Sequence, residues 1–375
     1  MHNFYNIKFY LKLITKFKTK NNKFLLKKKI IKDLLINNFF FISFKVISIK
    51  VYFGIKQICI PTYIDYIMIS FIKKILEEVL ENIFLTHNYA FRIHENIFGL
   101  FENVHTWTNV AWCIKGQITK FFTQIDFFLL GQFLFNNIKD ILILNLFFRF
   151  IGAGYFSITS NLLFCCYLGK DSSLIYLLVN IYLHHFDKFI DSLKKKTQIF
   201  FVRFGFLWLL GCSGSYHSVI LLRKKIIFYF IKYLHLVHLI RDIKIFNLMH
   251  TSFFFKGVEI KKIFSLSSSL LLYCPIKLLL YNFKKLGFFK RYKNKVIPCA
   301  QRKWLSLDIT EIFWKYYLLK NRLFKFYFFV DNFQSLLRLY SFLKLSLIYT
   351  LGRKLQLSKK KIIQKFKYSL KMWII

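Results

Sequence analysis

The excess of positive charge is the feature that most limits what this chain can fold into. Lysine and arginine contribute 58 residues against 17 aspartates and glutamates, which gives a net charge of +41 at pH 7. Apolar residues still make up 56% of the sequence, so it is not a disordered basic tail. A folded protein with this charge repels itself, and a bound polyanion relieves the repulsion. The composition therefore predicts a folded protein that binds a nucleic acid or an anionic membrane surface.

The apolar content also raises the question of membrane-spanning helices. Two uncharged stretches, 150–169 and 204–222, approach the roughly 20 residues that a spanning helix needs. Glycine, serine and other polar residues interrupt both stretches, and lysines recur every few residues elsewhere. An integral membrane protein of an organelle is therefore an alternative, and a membrane is the less favoured partner.

The cysteines and acidic residues offer little for metal or cofactor chemistry. The seven cysteines include no C-x-x-C pair, so the sequence predicts neither a zinc ribbon nor a disulfide framework. His184, His185 and Asp187 invite interpretation as a metal site, but neighbours on a helix point in different directions. We interpret them as ordinary polar helix residues, and the adjacent Cys165 and Cys166 as buried thiols. We therefore expect no metal and no cofactor.

The secondary-structure signals change character along the chain. Strand patterns lie at 51–61, 113–125 and 200–212, and helical periodicity covers 64–86 and 172–188. Towards the C-terminus, helical patterns dominate and the basic residues become denser. A mixture of strand and helix patterns followed by helices predicts an α+β protein with a domain boundary near residues 262–275.

Nine short segments carry a resemblance to a known family. Three of them read GIKQICIPTYIDYIM at 54–68, FVRFGFLWLLG at 201–211 and FKGVEI at 255–260. The other six are 89–101, 112–126, 151–156, 171–190, 274–288 and 330–366. Taken in their order along the chain, the nine segments resemble a group II intron maturase, the reverse-transcriptase-like protein encoded inside such introns. The resemblance implies a basic N-terminal extension in 1–50, reverse-transcriptase-like fingers and palm in 51–262, and an all-helical thumb, called domain X, in 263–375.

The resemblance also shows where the metal-binding aspartates of the family's polymerase site fall on this sequence. They fall at Gln117, Phe206 and Leu207, and a further acidic position falls at Thr123, whereas Asp126 is still acidic. Polymerase chemistry needs carboxylates that hold two metal ions. An amide, a phenyl and an isobutyl group cannot replace three carboxylates around Mg²⁺. The resemblance therefore implies an inactive reverse-transcriptase domain in a protein that is not an enzyme.

The region that resembles domain X ends in two predicted helices. Leucines at spacings of three and four residues within 334–354 predict a helix with one apolar face, and Ser358 is a predicted N-cap for the next helix. The resemblance implies phosphate contacts from basic residues here: Lys344, Arg353, Lys354, Lys359, Lys360, Lys361 and Lys365. The alternative for the lysine run is a solvated surface.

A second group of candidates combines positive charge with an aromatic ring. Arg302, Lys303 and Trp304 lie side by side, and unpaired RNA bases stack on aromatic side chains. The sequence therefore predicts that this group contacts RNA, while packing inside the fold is the alternative for Trp304.

The resemblance implies an RNA-binding splicing cofactor that assists the folding and splicing of organellar intron RNA, with a second copy of the chain in a homodimer as a further candidate partner. An alternative is a maturase-derived protein associated with the ribosome or the ribosomal operon, as found in euglenoid plastids. The abundant residue types have codons rich in A and T, as in organelle genomes. We therefore expect a plastid location, with the mitochondrion as the alternative.

Overall fold

The computed structural model of the chain describes residues 39–371 except for short gaps. The gaps are 42–43, 52–53, 93, 119–120, 122–124, 139, 154, 158–162, 165–172, 195–197, 238–241, 263–268 and 294. The chain divides into two compact units, Met1–Asn103 with Ala111–Ile245 and Val104–Val110 with Phe246–Ile375. Most of the predicted N-terminal extension lies outside the described residues, as do Thr123, Cys165 and Cys166.

The first unit is a mixture of helices and two four-stranded sheets. Its described elements are β1 Phe44–Val51, β2 Gly54–Ile60, α1 Tyr63–Leu80, α2 Ile97–His105, β3 Trp112–Gln117, α3 Phe127–Asn137, α4 Ile141–Gly152, β4 Tyr155–Ser157, β5 Leu163–Phe164, α5 Ser173–Lys194, β6 Ile199–Phe204, β7 Leu207–Cys212 and α6 Tyr216–Leu234, with β8 Lys244–Asn247 at its end. The strand orders are β2-β1-β4-β5 and β6-β7-β3-β8. The α+β prediction is confirmed.

The second sheet has a glycine at its centre because a tryptophan fills the space above it. Gly116 on β3 pairs with Trp208 on β7, and the indole of Trp208 is fully buried. A Cβ on Gly116 would lie 2.1 Å from that ring, so any side chain there would clash. At the end of the sheet, Gly205 turns the β6–β7 hairpin with a φ of +61°, in a two-residue loop that favours glycine at its first position.

A buried ion pair joins α5 to β6 in the first unit. Arg203 donates from Nε and Nη2 to the two carboxylate oxygens of Asp187, each at 2.7 Å, and neither side chain is exposed. Arg203 also donates to the side-chain oxygen of Asn180 at 3.1 Å, and Asn180 in turn donates to the Ala90 carbonyl at 2.7 Å. Asp187 is therefore a structural partner of arginine.

The second unit combines a small sheet, a hairpin and a set of helices. Its described elements are β9 Phe253–Phe255, β10 Val258–Lys261, β11 Leu271–Tyr273, α7 Ile276–Leu286, β12 Phe289–Tyr292, β13 Lys295–Pro298, a 3-10 turn Arg302–Trp304, α8 Ile309–Tyr327, α9 Phe333–Leu355, α10 Lys359–Lys365 and α11 Lys367–Lys371. The residues 263–375, predicted to be all-helical, are mostly helical, but β11 and the β12–β13 hairpin are strands that the prediction did not include.

The compact units divide earlier in the chain than the predicted boundary, between Ile245 and Phe246 and within β8. Strands β9, β10 and β11 form one antiparallel sheet, in which Ile260 pairs with Leu272. A boundary between 262 and 263 would separate β10 from β11 in that sheet. At the other end, β1 begins at Phe44 and pairs with β2, so the first sheet takes in the last residues of the predicted extension.

The predicted apolar face of α9 is confirmed. Its five leucines are at most 2% exposed: Leu336, Leu339, Leu343, Leu347 and Leu351. Burial of each leucine stabilises the fold by roughly 1.5–3 kcal/mol.

Helices that could cross a membrane are not found in the part of the chain that the structure describes, because none is both long and apolar enough. The uncharged stretch 204–222 forms a hairpin strand and the start of α6.

Candidate nucleic-acid interface

A cleft in the second unit collects five basic side chains. It has a volume of about 720 Å³ and is lined by backbone and side chains of α7, the β12–β13 hairpin, the 3-10 turn and α9. The cations are Lys285, Lys290, Arg302, Lys303 and Arg353, and we call this site the cationic cleft. Among the described residues that line it, none is acidic.

The helix ends that border the cleft suit cations. Lys285 lies in the last turn of α7 and Arg353 in the last turn of α9, where the helix dipole favours positive charge. Helix α7 ends at Gly287, whose φ of +90° favours glycine. A Cβ there would also lie 3.3 Å from Oε1 of Gln301. Gly287 thus lets the chain turn directly from α7 into the hairpin strand that carries Lys290.

Gln301, which precedes the 3-10 turn, anchors it to both neighbouring helices. Its side chain is buried and donates from Nε2 to the Leu286 carbonyl at 2.7 Å, while its backbone N–H donates to Oγ1 of Thr350 at 2.9 Å. Oγ of Ser346 donates to the carbonyl of Cys299 at 2.6 Å. These bonds fix the segment 299–303 between α7 and α9 and so fix Arg302 and Lys303 at the cleft.

A buried tyrosine completes this hydrogen-bond network. The Tyr316 hydroxyl lies 2.8 Å from Oγ of Ser346 and 3.0 Å from Oγ1 of Thr350. Ser346 and Thr350 direct their own protons to the carbonyls of Cys299 and Ser346, so the Tyr316 proton is the one available for these contacts. Burial raises the pKa of Tyr316 to about 12, which keeps it a neutral donor.

The charges in the cleft act on the thiol beside them. Burial raises the pKa of Cys299, whereas Lys290 and Arg302 act electrostatically to lower it. Two cations from different elements, β12 and the 3-10 turn, therefore act on one group in the lining of the cleft.

Three of the ten predicted RNA-contacting residues come together in the cleft, namely Arg302, Lys303 and Arg353. Lys354 turns elsewhere, because its Nζ donates to the Leu305 carbonyl at 3.0 Å. Lys344 is half-buried on α9 near Lys320, whose pKa is lowered by burial and by Lys344.

The lysines of α10 are exposed, and the predicted N-cap of that helix is confirmed. Ser358 accepts a hydrogen bond from the Lys361 backbone N–H at 3.5 Å. The remaining predicted lysines on this helix, which are Lys359, Lys360, Lys361 and Lys365, point to solvent. Their phosphate contacts stay a prediction.

Trp304 packs inside the second unit. Its half-buried ring contacts Phe288 edge-on with centroids 5.2 Å apart and Tyr316 with centroids 5.1 Å apart. The Lys315 ammonium lies 5.7 Å from the centre of the ring. These contacts agree with the alternative that Trp304 packs inside the fold. Stacking of Trp304 on RNA stays a prediction.

In the first unit, the three positions assigned to polymerase aspartates lie side by side. Gln117 pairs with Leu207 across β3 and β7, and the Ile118 N–H donates to the Phe206 carbonyl at 2.9 Å. Gln117 is exposed, and the ring of Phe206 packs against that of Phe121. The described residues contain no group of three or more histidines, cysteines or carboxylates that could hold a metal ion.

The remaining acid near these strands has a structural role. Asp126 caps α3, accepting from the N–H groups of Phe128 at 2.9 Å and Leu129 at 3.1 Å. Its other oxygen lies 2.7 Å from Nδ1 of His235. Burial acts to raise the pKa of Asp126, but the Leu129 N–H and His235 outweigh it and lower the pKa.

Sequence reasoning missed two cations of the cleft, Lys285 and Lys290. They lie far from Arg353 in sequence, and the chain brings them together through the turn at Gly287 and the pairing of β12 with β13. A glycine between two lysine-bearing segments was the available signal.

Comparisons with known proteins agree with the sequence resemblance. Residues 267–373, which include the cationic cleft, match the family model of the type II intron maturase. A segment of 142 residues is 28% identical to the group II intron-encoded protein LtrA of Lactococcus lactis subsp. cremoris, and covers 38% of this chain and 24% of LtrA. A segment of 146 residues is 28% identical to an uncharacterized 91 kDa protein in the cob intron of Schizosaccharomyces pombe, and covers 38% of this chain and 18% of that protein. The chain therefore matches only about a quarter or less of these relatives' length.

Two solved structures are more distantly similar. Telomerase from Candida albicans, in complex with the TWJ fragment of telomeric RNA, has a TM-score of 0.49 at 12% identity over 98% of this chain and 59% of that one. Apo telomerase from Candida tropicalis, truncated from the C-terminal domain, has a TM-score of 0.45 at 10% identity over 62% of this chain and 55% of that one.

Proposed function

We propose that this maturase-like chain binds group II intron RNA through its second unit and assists the folding and splicing of that RNA. The observation that carries the proposal is the cationic cleft, which lies within the segment that matches the type II intron maturase model. The net charge of +41 supports a polyanionic partner in general, and the cleft supports a defined site.

The side chains of the cleft suit the phosphate backbone of folded RNA. Two arginines offer planar guanidinium groups that bind phosphate oxygens in pairs, and three lysines add compact charges. Five like charges around one cleft repel each other when it is empty. Bound phosphates remove that repulsion and release counterions, which makes binding favourable and dependent on salt.

We further propose that the chain has no polymerase activity of its own and that the RNA carries out the splicing chemistry. Gln117, Phe206 and Leu207 stand at adjacent positions of β3 and the β6–β7 hairpin, where carboxylates would have to converge on Mg²⁺. Primer extension with Mg²⁺ or Mn²⁺ tests this, and any template-dependent synthesis by the purified chain would contradict it.

The proposed location is a plastid, supported by the bias towards residues with codons rich in A and T. Crosslinking in the organelle, followed by sequencing of the bound RNA, tests both the location and the partner. We expect group II intron sequences to be enriched, and enrichment to fall in a variant with Arg302→Gln, Lys303→Gln and Arg353→Gln. Recovery of ribosomal RNA alone, or of no RNA, would overturn the splicing role.

A further inference from the structure

An exposed tryptophan on α8 stands apart from the other tryptophans that the structure describes. Trp314 is 57% exposed, whereas Trp107 and Trp208 are fully buried and Trp112 and Trp304 are half-buried. Burial of a tryptophan is strongly favourable, so exposure of one on a well-formed helix calls for a reason. The core-facing side of α8 is occupied by Ile312 and Tyr316, which leaves Trp314 on the outward face.

A second ring holds the indole in place. Trp314 and Tyr317 are one helical turn apart and stack with centroids 5.7 Å apart and an interplanar angle of 26°. Their near-parallel arrangement limits the rotation of both side chains. The result is an ordered aromatic surface facing solvent, and little conformational entropy is lost when a flat ligand covers it.

Basic residues lie on the same helix as this aromatic surface and at the helix end that packs beside it. Phe313, the neighbour of Trp314, packs against Phe366 with centroids 5.4 Å apart, which brings the end of α10 beside α8. Lys365, the exposed lysine next to Phe366, therefore lies at that end of α10. Lys325 is also exposed and lies about three turns along α8 on the side that carries Trp314. The nearby acid, Glu311, pairs with Lys315 at 3.2 Å.

We propose that Trp314 and Tyr317 form a stacking platform for unpaired nucleotides of bound RNA. The proposal rests on the proposed RNA-binding function and adds the class of RNA that this surface selects. An aromatic face beside cations is the arrangement by which proteins bind single strands, since every base offers a flat face and every nucleotide a phosphate. A duplex, whose bases are already stacked on each other, has no base to offer to the platform except at its ends.

The test compares two RNA probes on the full chain, a single-stranded oligoadenylate and a blunt-ended duplex without a loop, by fluorescence anisotropy. We expect Trp314→Leu, which keeps an apolar side chain but removes the ring, to weaken oligoadenylate binding about tenfold. Binding of the duplex should change less than twofold. Trp314→Phe should retain most of the affinity because it keeps an aromatic face. Leu278→Ala, which shortens another exposed apolar side chain of the second unit, should change neither affinity.

The outcomes separate this inference from the proposed function. Suppose that both RNAs bind and that Trp314→Leu changes the two affinities by the same factor, or changes neither. The stacking platform is then overturned while RNA binding stands. If the unmodified chain binds neither RNA, the proposed RNA-binding function is overturned, and the platform that rests on it is overturned as well. Quenching of tryptophan emission on addition of oligoadenylate should also be smaller in Trp314→Phe than in the unmodified chain, and equal quenching would count against the platform.

Discussion

The interior of the first unit and the cationic cleft of the second unit differ in whether their positive charges are paired with acidic residues. Arg203 is fully buried and both of its outer nitrogens are used, with a carboxylate at 2.7 Å and an amide at 3.1 Å. The cleft gathers five cations and no acidic residue among its described lining. A matched charge stabilises one conformation of the chain, whereas a set of like charges costs free energy until an anion arrives. This chain has few acidic residues. A cation that is paired with one of them has a structural role, whereas cations without an acidic partner are available to bind an anion.

Breaking the buried pair should have the largest effect on stability. Asp187→Asn leaves the Arg203 guanidinium buried without a counter-charge, and we expect a loss of about 3–5 kcal/mol in the free energy of unfolding of the first unit. Urea denaturation followed by circular dichroism measures this. Asp191→Asn, one turn along the same helix, is the matched control and should cost less than about 1 kcal/mol, because Asp191 is partly exposed. Equal losses would show that the pair has no special role.

Neutralising the cleft should have the largest effect on RNA binding. Each lost phosphate contact removes about 0.7–0.9 from the slope of log affinity against log salt. The triple variant Arg302→Gln, Lys303→Gln and Arg353→Gln should therefore reduce the slope by about two to three, and the affinity about 100-fold at 0.1 M salt.

The matched control for that variant removes three charges from exposed positions of the first unit: Lys224→Gln, Lys225→Gln and Lys232→Gln. It has the same net charge as the cleft variant, so a general effect of charge would lower both slopes alike. We expect the control slope to fall by less than one. A larger fall in the control than in the cleft variant would refute the cleft as the principal phosphate site.

Parts of both regions could be predicted from the sequence, because they depend on local patterns. The apolar face of α9 follows from leucine spacing, and the N-cap at Ser358 from one hydroxyl before a helix. The resemblance also assigned the family's metal-binding aspartates to Gln117, Phe206 and Leu207. The strand register places these three residues side by side. Periodicity is sufficient to predict the helix features because it reports on residues that are close in sequence. The order of the family-like segments is sufficient to predict which strands carry the three positions.

The rest depends on contacts between distant side chains, which no local pattern encodes. Asp187 looked like an ordinary helix residue, yet its partner Arg203 lies on the next strand with its whole side chain buried. The network from Gln301 to Thr350 spans 49 residues and has no signature in the sequence. The pairing of β10 with β11 across residues 262 and 263 is also a contact between separate segments that periodicity does not report.

Acid should weaken the first unit through a buried histidine. Burial, and to a lesser extent Lys188, His185 and Arg203, lower the pKa of His184 to about 4, and neither ring nitrogen has a hydrogen-bond partner among the described residues. His184 binds a proton near pH 6.5 in the unfolded chain but only near pH 4 in the folded chain. The folded state is therefore destabilised as the pH drops from 6.5 to 4. We expect His184 alone to contribute a loss of about 2 kcal/mol at pH 4.5 relative to pH 7.

Urea denaturation at both pH values measures the total loss, and His184→Leu should remove the share that His184 contributes. A similar share should remain from His185, whose pKa is also lowered to about 4, by burial and then by Lys188. An unchanged pH dependence in His184→Leu would show that other groups are responsible. RNA binding by the cleft should be unaffected by this substitution, because no residue of the cleft belongs to the first unit.

The smallest expected effect concerns the network that supports the cleft. Tyr316→Phe removes the proton shared between Ser346 and Thr350, and we expect a loss of about 1 kcal/mol in unfolding free energy. Tyr340 is the matched control, because its buried hydroxyl has no partner among the described residues. Tyr340→Phe should therefore be neutral or slightly stabilising, since it removes a polar group that burial leaves unsatisfied. The salt slope of RNA binding should stay unchanged in both variants because all five cations remain. If Tyr340→Phe destabilises as much as Tyr316→Phe, the network does not hold the cleft in place, and backbone pairing and packing alone position its cations.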